Sequence, residues 1–182
     1  MRDRLPRERY RHCLSVARSA EKLAARHGAA AFKARVAGVL HDVARMWSAD
    51  DLLTYASTHG LSVSENERAY PVLLHAPVGA DIARREFGID DVEILGAISR
   101  HTVAGPGMSG LEKIVYEADT FEPGRAFPGR ARLEAAALRS LDEGLLACVA
   151  ASIEYLEARR IPSAPETIAL YDQLVKMNDR SS

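Results

Sequence analysis

The chain has 182 residues, a length that fits one domain and is long enough to bury most of a core. It is 47% hydrophobic and 27% charged, an ordinary balance for a soluble globular protein. Its net charge of -1 excludes a broad basic field for nucleic acid, so any phosphate binding must come from a local cluster.

The first ten residues are charged and lack the apolar run of a leader. No later stretch carries a membrane span's worth of uncharged apolar residues. A cytoplasmic address with no membrane partner is expected. Cys13 and Cys148 have no CxxC spacing and are too few for a disulfide framework, so both read as packing thiols.

In chain order, Pro6 opens a helix whose apolar stripe, Leu14, Ala17, Ala20, Leu23 and Ala24, runs to a stop at Gly28. Phe32 to Met46 reads as a second helix, buried on most sides. Ser48 and Asp51 resemble a capping box for a third helix that ends at Gly60. Residues 61–70 read as a surface loop. Pro71 then suits the first turn of a helix that closes near Gly88, and Asp90 with Glu93 caps the next, which leads to Arg100. The Gly and Pro of 101–108 predict a loop. Ser109 and Glu112 cap a short helix ending at Asp119, and Glu122-Pro-Gly-Arg-Ala-Phe-Pro-Gly129 is a turn-rich connection of the kind that often carries function. Helices follow at about 131–140, 142–159 and 165–177. With no alternating strand pattern and no repeat, the expected fold is all-α, in one domain spanning 1–182.

The dipeptide His41-Asp42 stands out because an imidazole and a carboxylate are set into an apolar segment, where burial is costly unless something satisfies them. Taken alone it has an ordinary reading, a helical His salt-bridged to its neighbour. The other histidines sort by position. His27 and His59 each precede a glycine at a helix end, where a partly charged imidazole suits the C-terminal dipole, and both read as structural. His12, His75 and His101 lie on or beside three further apolar segments, and Asp119 lies on or near the buried face of its helix. Four helices can thus present one imidazole apiece to a shared cavity. Neutral imidazoles with hard carboxylate oxygens suit Fe, Mn, Zn or Co better than Mg, and the lack of thiolates argues against a structural zinc site.

The order His12, His41-Asp42, Asp119 resembles the H…HD…D signature of the HD-domain metal-dependent phosphohydrolases. His75 and His101 resemble those of a subgroup, the symmetrical diadenosine tetraphosphate hydrolases. The similarity also runs through Arg9-Tyr-Arg-His12, Leu74-His-Ala-Pro-Val-Gly-Ala80, Pro106-Gly-Met108, Ala118-Asp119, residues 122–129 and Pro165-Glu-Thr167. The resemblance implies a helical HD fold with its metal-site core over about 9–125 and C-terminal helices over about 131–177. It implies a metal, iron foremost with manganese, cobalt or zinc as alternatives, held by His12, His41, Asp42 and Asp119. His75 and His101 would hold a second metal or contact phosphates. Arg9, Arg45, Arg125, Pro165 and Thr167 would contact substrate. Arg45 stands where the family usually has Lys, which exchanges a point donor for a fork.

The implied activity is cleavage of diadenosine tetraphosphate to two ADP by an activated water, with Asp42, His75 and His101 as the catalytic groups. The expected partner is a small nucleotide, and the chain is expected to be a monomer or homodimer that binds no nucleic acid. Two alternatives stand beside this. One is an HD phosphohydrolase acting on another nucleotide or phosphomonoester, and the other is a nucleotide-binding regulator without turnover.

Overall fold

The structure, a computed structural model, describes residue 1 and residues 4–179. Among these the chain forms ten α-helices and one 3₁₀ turn, with no strand. Helix α1 (Arg7–Arg26) follows Pro6, whose missing N–H is harmless at a helix start. It buries Cys13, Val16, Ala17, Ala20, Leu23 and Ala24 along one stripe. Helix α2 (Ala31–Leu40) lies against α1 at close range: a Cβ on Gly38 would stand 2.7 Å from the Ala17 Cα.

The helix expected over Phe32 to Met46 stops at Leu40, and His41 to Met46 continue as tight turns. The Gly38 carbonyl accepts from His41 Nδ1–H at 2.8 Å. Beyond it the backbone bonds run i to i−3, from Val43 to Leu40, Arg45 to Asp42 and Trp47 to Ala44. His41 and Asp42 therefore stand at a helix end and not in mid-helix.

Helix α3 (Ala49–Thr58) starts as expected, with the Ser48 hydroxyl accepting from the Asp51 N–H at 3.1 Å. The expected loop over 61–70 contains a short helix, α4 (Glu65–Ala69), because Ser64 and Glu67 form a reciprocal capping box of their own. The helix expected from Pro71 is split into a 3₁₀ turn, Pro71–Leu74, and α5 (His75–Phe87). Pro77 has no N–H to return to the Leu73 carbonyl, so a regular α-helical bond is lost there. Helix α6 (Val92–Ser99) is capped one residue later than expected, by Asp91, whose Oδ1 accepts from Glu93 and Ile94. Helix α7 (Gly110–Phe121) has the expected Ser109–Glu112 box and runs two residues past Asp119. Helices α8 (Arg130–Arg139), α9 (Leu141–Glu157) and α10 (Pro165–Asp179) complete the bundle.

The apolar residues form two cores. The larger joins α1, α2, α5, α6, α7, α8, α9 and α10 around residues such as Leu23, Ile98, Ile114, Leu145 and Leu174. The smaller, Val43, Ala44, Leu52, Leu74, Val78 and Ile82, joins the turns after α2 to α3, the 3₁₀ turn and α5. Leu40 belongs to the first core and Val43 to the second, so His41 and Asp42 occupy the seam between them. Cys13 and Cys148 are free and fully buried, as packing thiols should be. Among the described residues no helix is long and apolar enough to cross a membrane.

Two predictions follow from this packing. Gly38→Ala should destabilise the protein by about 1–3 kcal/mol in a denaturant melt, because α1 backbone lies where the methyl would go. The second concerns Glu117, whose carboxyl is fully buried without a partner beside Gly144 and Ala137. Burial raises its pKa to about 9, so between its ordinary value and about 9 the folded chain holds a proton that the unfolded chain releases. Stability should therefore fall as pH rises across that window. The Glu117→Gln variant should show a flatter dependence of melting temperature on pH, and an unaltered slope would mean that the carboxyl ionises freely.

Candidate functional site

Six polar side chains expected from the sequence converge at the seam. His12 comes from α1, His41 and Asp42 from the turn after α2, His75 from the start of α5, His101 from the residue after the α6 C-cap, and Asp119 from α7. His41, Asp42, His75 and His101 are buried, and His12 and Asp119 are largely so. Asp42 is central. Its Oδ2 lies 3.4 Å from His41 Nε2 and 3.7 Å from His12 Nε2, while its Oδ1 lies 3.3 Å from His75 Nε2 and 3.6 Å from His101 Nε2. Asp119 Oδ1 stands 3.0 Å from His12 Nε2 and 3.8 Å from His41 Nε2.

The tautomers follow from what the other ring nitrogens touch. His41 Nδ1 faces the Gly38 carbonyl at 2.8 Å, His101 Nδ1 faces the Ile98 carbonyl at 2.7 Å, and His75 Nδ1 faces the Val72 carbonyl. A carbonyl only accepts, so each Nδ1 carries the proton and each Nε2 turns a lone pair toward the carboxylates. His12 is oriented by a side chain instead: its Nδ1 lies 3.3 Å from Glu122 Oε1. Glu122 is itself held by the Gly124 N–H on Oε2 at 2.9 Å. A Cβ on Gly124 would approach Oε1 to 2.7 Å, so only glycine lets the carboxylate fold back there.

Lone pairs facing carboxylate oxygens across 3 to 4 Å repel unless a positive charge lies among them. His12 Nε2 and His41 Nε2 are buried with no hydrogen-bond partner among the described residues. Three overlapping sets, His12-His41-Asp42, His41-His101-Asp119 and Asp42-His75-His101, each bring their ligand atoms within 4.8 Å of one another. This donor set fits a divalent transition metal. Without such a cation the imidazoles themselves would have to carry the positive charge. Burial alone would raise both carboxyl pKa values, yet His41, His101 and His75 hold Asp42 far below the usual carboxylate range, and His12 with Arg125 does the same for Asp119. Burial tends to lower His41, but the Asp42 and Asp119 charges outweigh it and raise the group. His101 is lowered by burial and by its neighbouring imidazoles.

The cluster lies in a cleft of about 1400 Å³. Arg9, Arg45 and Arg125 all line it. Arg9 Nη1 donates to Asp42 Oδ2 at 2.9 Å and Arg125 Nη2 donates to Asp119 Oδ1 at 2.7 Å, whereas Arg45 has no carboxylate partner among the described residues. Pro165 and Thr167 do not line the cleft. Pro165 is exposed at the start of α10, and the buried Thr167 hydroxyl donates to the Ala104 carbonyl at 3.0 Å, which ties α10 to the loop that carries His101. The structure thus gives Thr167 a role in holding that loop instead of the substrate contact expected of it. His27 and His59 stand apart from the cluster, donating to the Ala137 and Tyr55 carbonyls.

Two site residues went unassigned in the sequence reading. Thr102 places its hydroxyl 3.1 Å from His101 Nε2 and 3.3 Å from His75 Nε2. Glu122 is the other. Each sits directly beside a motif already singled out, but neither residue type nor spacing told which nitrogen it would meet.

The sequence profile of the HD domain matches residues 9–124, which contain all six clustered side chains. The symmetrical bis(5'-nucleosyl)-tetraphosphatase of Bacillus subtilis is 35% identical over 175 residues, covering 96% of this chain and 94% of that one. The enzyme of the same name from Halalkalibacterium halodurans is 35% identical over 173 residues, covering 94% and 91%. A solved structure from Clostridium acetobutylicum, described as a predicted HD superfamily hydrolase involved in NAD metabolism, superposes with a TM-score of 0.91. It has 33% sequence identity and covers 96% of this chain and 93% of its own. The chain belongs to the HD-domain family, in the group of these symmetrical tetraphosphatases.

Proposed function

We propose that this protein is a metal-dependent phosphohydrolase that cleaves dinucleoside tetraphosphates symmetrically, converting diadenosine tetraphosphate into two ADP. The observation that carries the reading is the Asp42 carboxylate, with one oxygen among His12 and His41 and the other among His75 and His101. That geometry supports His12, His41, Asp42 and Asp119 as the residues that would hold a metal, and His75 and His101 as those that would hold a second metal or contact phosphates. Iron is the foremost candidate, with manganese, cobalt and zinc fitting the same donors. A divalent metal bound there would supply a Lewis acid and lower the pKa of an adjacent water toward about 7.

The chain's own residues do the rest. Asp42 stays ionised at neutral pH, so it accepts from a water O–H and aims the water's lone pair at the phosphorus. The phosphoryl group in flight spreads charge over three equatorial oxygens, and cationic forks are suited to hold them. Arg45, without a carboxylate partner among the described residues, is available to take a phosphate oxygen. Arg9 and Arg125 present their remaining N–H groups from the edge of the cluster. His75, His101 and Thr102 line the side of the cleft by the 3₁₀ turn. Attack in line forms one P–O bond as the bond to the opposite bridging oxygen breaks. Attack at an inner phosphorus with departure of the central bridging oxygen leaves two nucleoside diphosphates.

The deciding experiment incubates metal-loaded protein with diadenosine tetraphosphate and identifies the products. ADP alone supports the reading. ATP with AMP would contradict symmetrical cleavage, and turnover only of deoxynucleotides or phosphomonoesters would replace the substrate. Asp42→Ala should lower both bound metal, measured by elemental analysis, and turnover by more than about a thousandfold. Normal metal content in that variant would remove Asp42 from the ligand set. Glu122→Gln should retain the fold but weaken metal affinity by roughly 10–100-fold, because the carboxylate that orients His12 is lost.

A further inference from the structure

The cleft is larger than one nucleotide requires. Its volume of about 1400 Å³ exceeds the ~300–1,000 Å³ typical of a site for one small ligand. From the His/Asp cluster it runs between α1 and α9 as far as Tyr155 and Leu156. On the α1 wall, Arg11, Ser15 and Arg18 are spaced i, i+4 and i+7, so they share one face, beside His12. Arg18 stands six residues, about 9 Å along the axis, beyond His12. Arg9 and Arg125 are committed to the site carboxylates, but Arg11 and Arg18 have no carboxylate partner among the described residues. Among the described residues, Glu8 and Glu154 are the only carboxylates lining the cleft apart from Asp42, Asp119 and Glu122, so α1 presents a local cationic stripe in a chain of net charge -1.

The facing wall is aromatic. Tyr155 is 56% exposed and Phe127 37% exposed, and both line the cleft. The Arg159 guanidinium lies 3.6 Å from the Tyr155 ring centroid, and its Nη1 donates to the Tyr155 carbonyl, which fixes the ring as a platform. An exposed, pinned aromatic opposite unpaired guanidinium groups is the arrangement that holds a stacked base with its phosphates.

We propose that this arm, between α1 and α9, is the site of the second nucleoside of the substrate. Tyr155 and Phe127 receive its base, and Arg11 and Arg18 receive the phosphates of the nucleoside diphosphate that leaves. The assignment rests on the hydrolase reading above and deepens it. Cutting a four-phosphate chain at its middle requires the reacting phosphorus to be placed from both ends. A nucleoside seated in this arm is the second anchor that sets that position. An enzyme with one nucleoside pocket would position only one end of the chain.

The test uses the metal-loaded full chain. Wild type first establishes turnover of diadenosine tetraphosphate, and its absence would defeat the hydrolase reading itself. With turnover in hand, Tyr155→Ala should raise KM on the order of 10-fold with kcat retained, and Arg11→Ala/Arg18→Ala should act in the same direction. Tyr155→Phe, which keeps the platform, should restore the wild-type KM. Calorimetric titration with ADP should give two ADP per wild-type chain and one per Tyr155→Ala chain. An unchanged KM in Tyr155→Ala, or a single ADP per wild-type chain that still cleaves the substrate, would overturn the second-nucleoside site while leaving the hydrolase reading in place.

Discussion

Everything in this molecule is arranged around a buried carboxylate that faces lone pairs. Asp42 lies at the seam of two hydrophobic cores with four imidazole nitrogens within 3.3–3.7 Å of its oxygens. A buried anion among neutral acceptors is strongly unfavourable in isolation, and it persists only where the surrounding fold over-determines it or where positive charge arrives. Here both conditions hold. The two cores meet at residues 40–43 and fix the backbone, while Arg9 and Arg125 supply charge from the cleft side.

The arginines divide by what they already touch. Arg9 and Arg125 are bonded to the site carboxylates, so their first task is to balance the cluster. Arg11, Arg18 and Arg45 have no carboxylate partner among the described residues and line the same cleft, so their charge is available to an anion from outside. A near-neutral chain can in this way be locally attractive to a polyphosphate, because the field is confined to one groove.

Much of this was legible beforehand. Helical periodicity and capping signals located most helices, and the boundaries that moved did so for local reasons: the Ser64–Glu67 box, the missing N–H of Pro77 and the cap at Asp91. The grouping of His12, His41, Asp42, His75, His101 and Asp119 was also readable, because polar side chains on apolar segments need partners. Orientation was not readable. Thr167 looked like a substrate contact, but its hydroxyl binds the Ala104 carbonyl sixty-three residues away, a pairing that no local pattern announces. Glu122 was passed over for the same reason.

The role of Glu122 follows from helix geometry. His41, His75 and His101 each sit at a break in regular helix, after α2, at the junction of the 3₁₀ turn with α5, and after the α6 C-cap. Carbonyls near such ends have acceptor capacity to spare, and each ring takes the carbonyl three residues before it, so its tautomer is set by its own backbone. His12 lies inside α1, where the nearby carbonyls are already engaged in the helical ladder, and no such acceptor is on offer. It needs a partner from elsewhere, and the loop after α7 delivers the Glu122 carboxylate, bent back over Gly124. The glycine-bearing turn that follows Asp119 thus has a structural cause: it supplies the one orientation that the helices cannot.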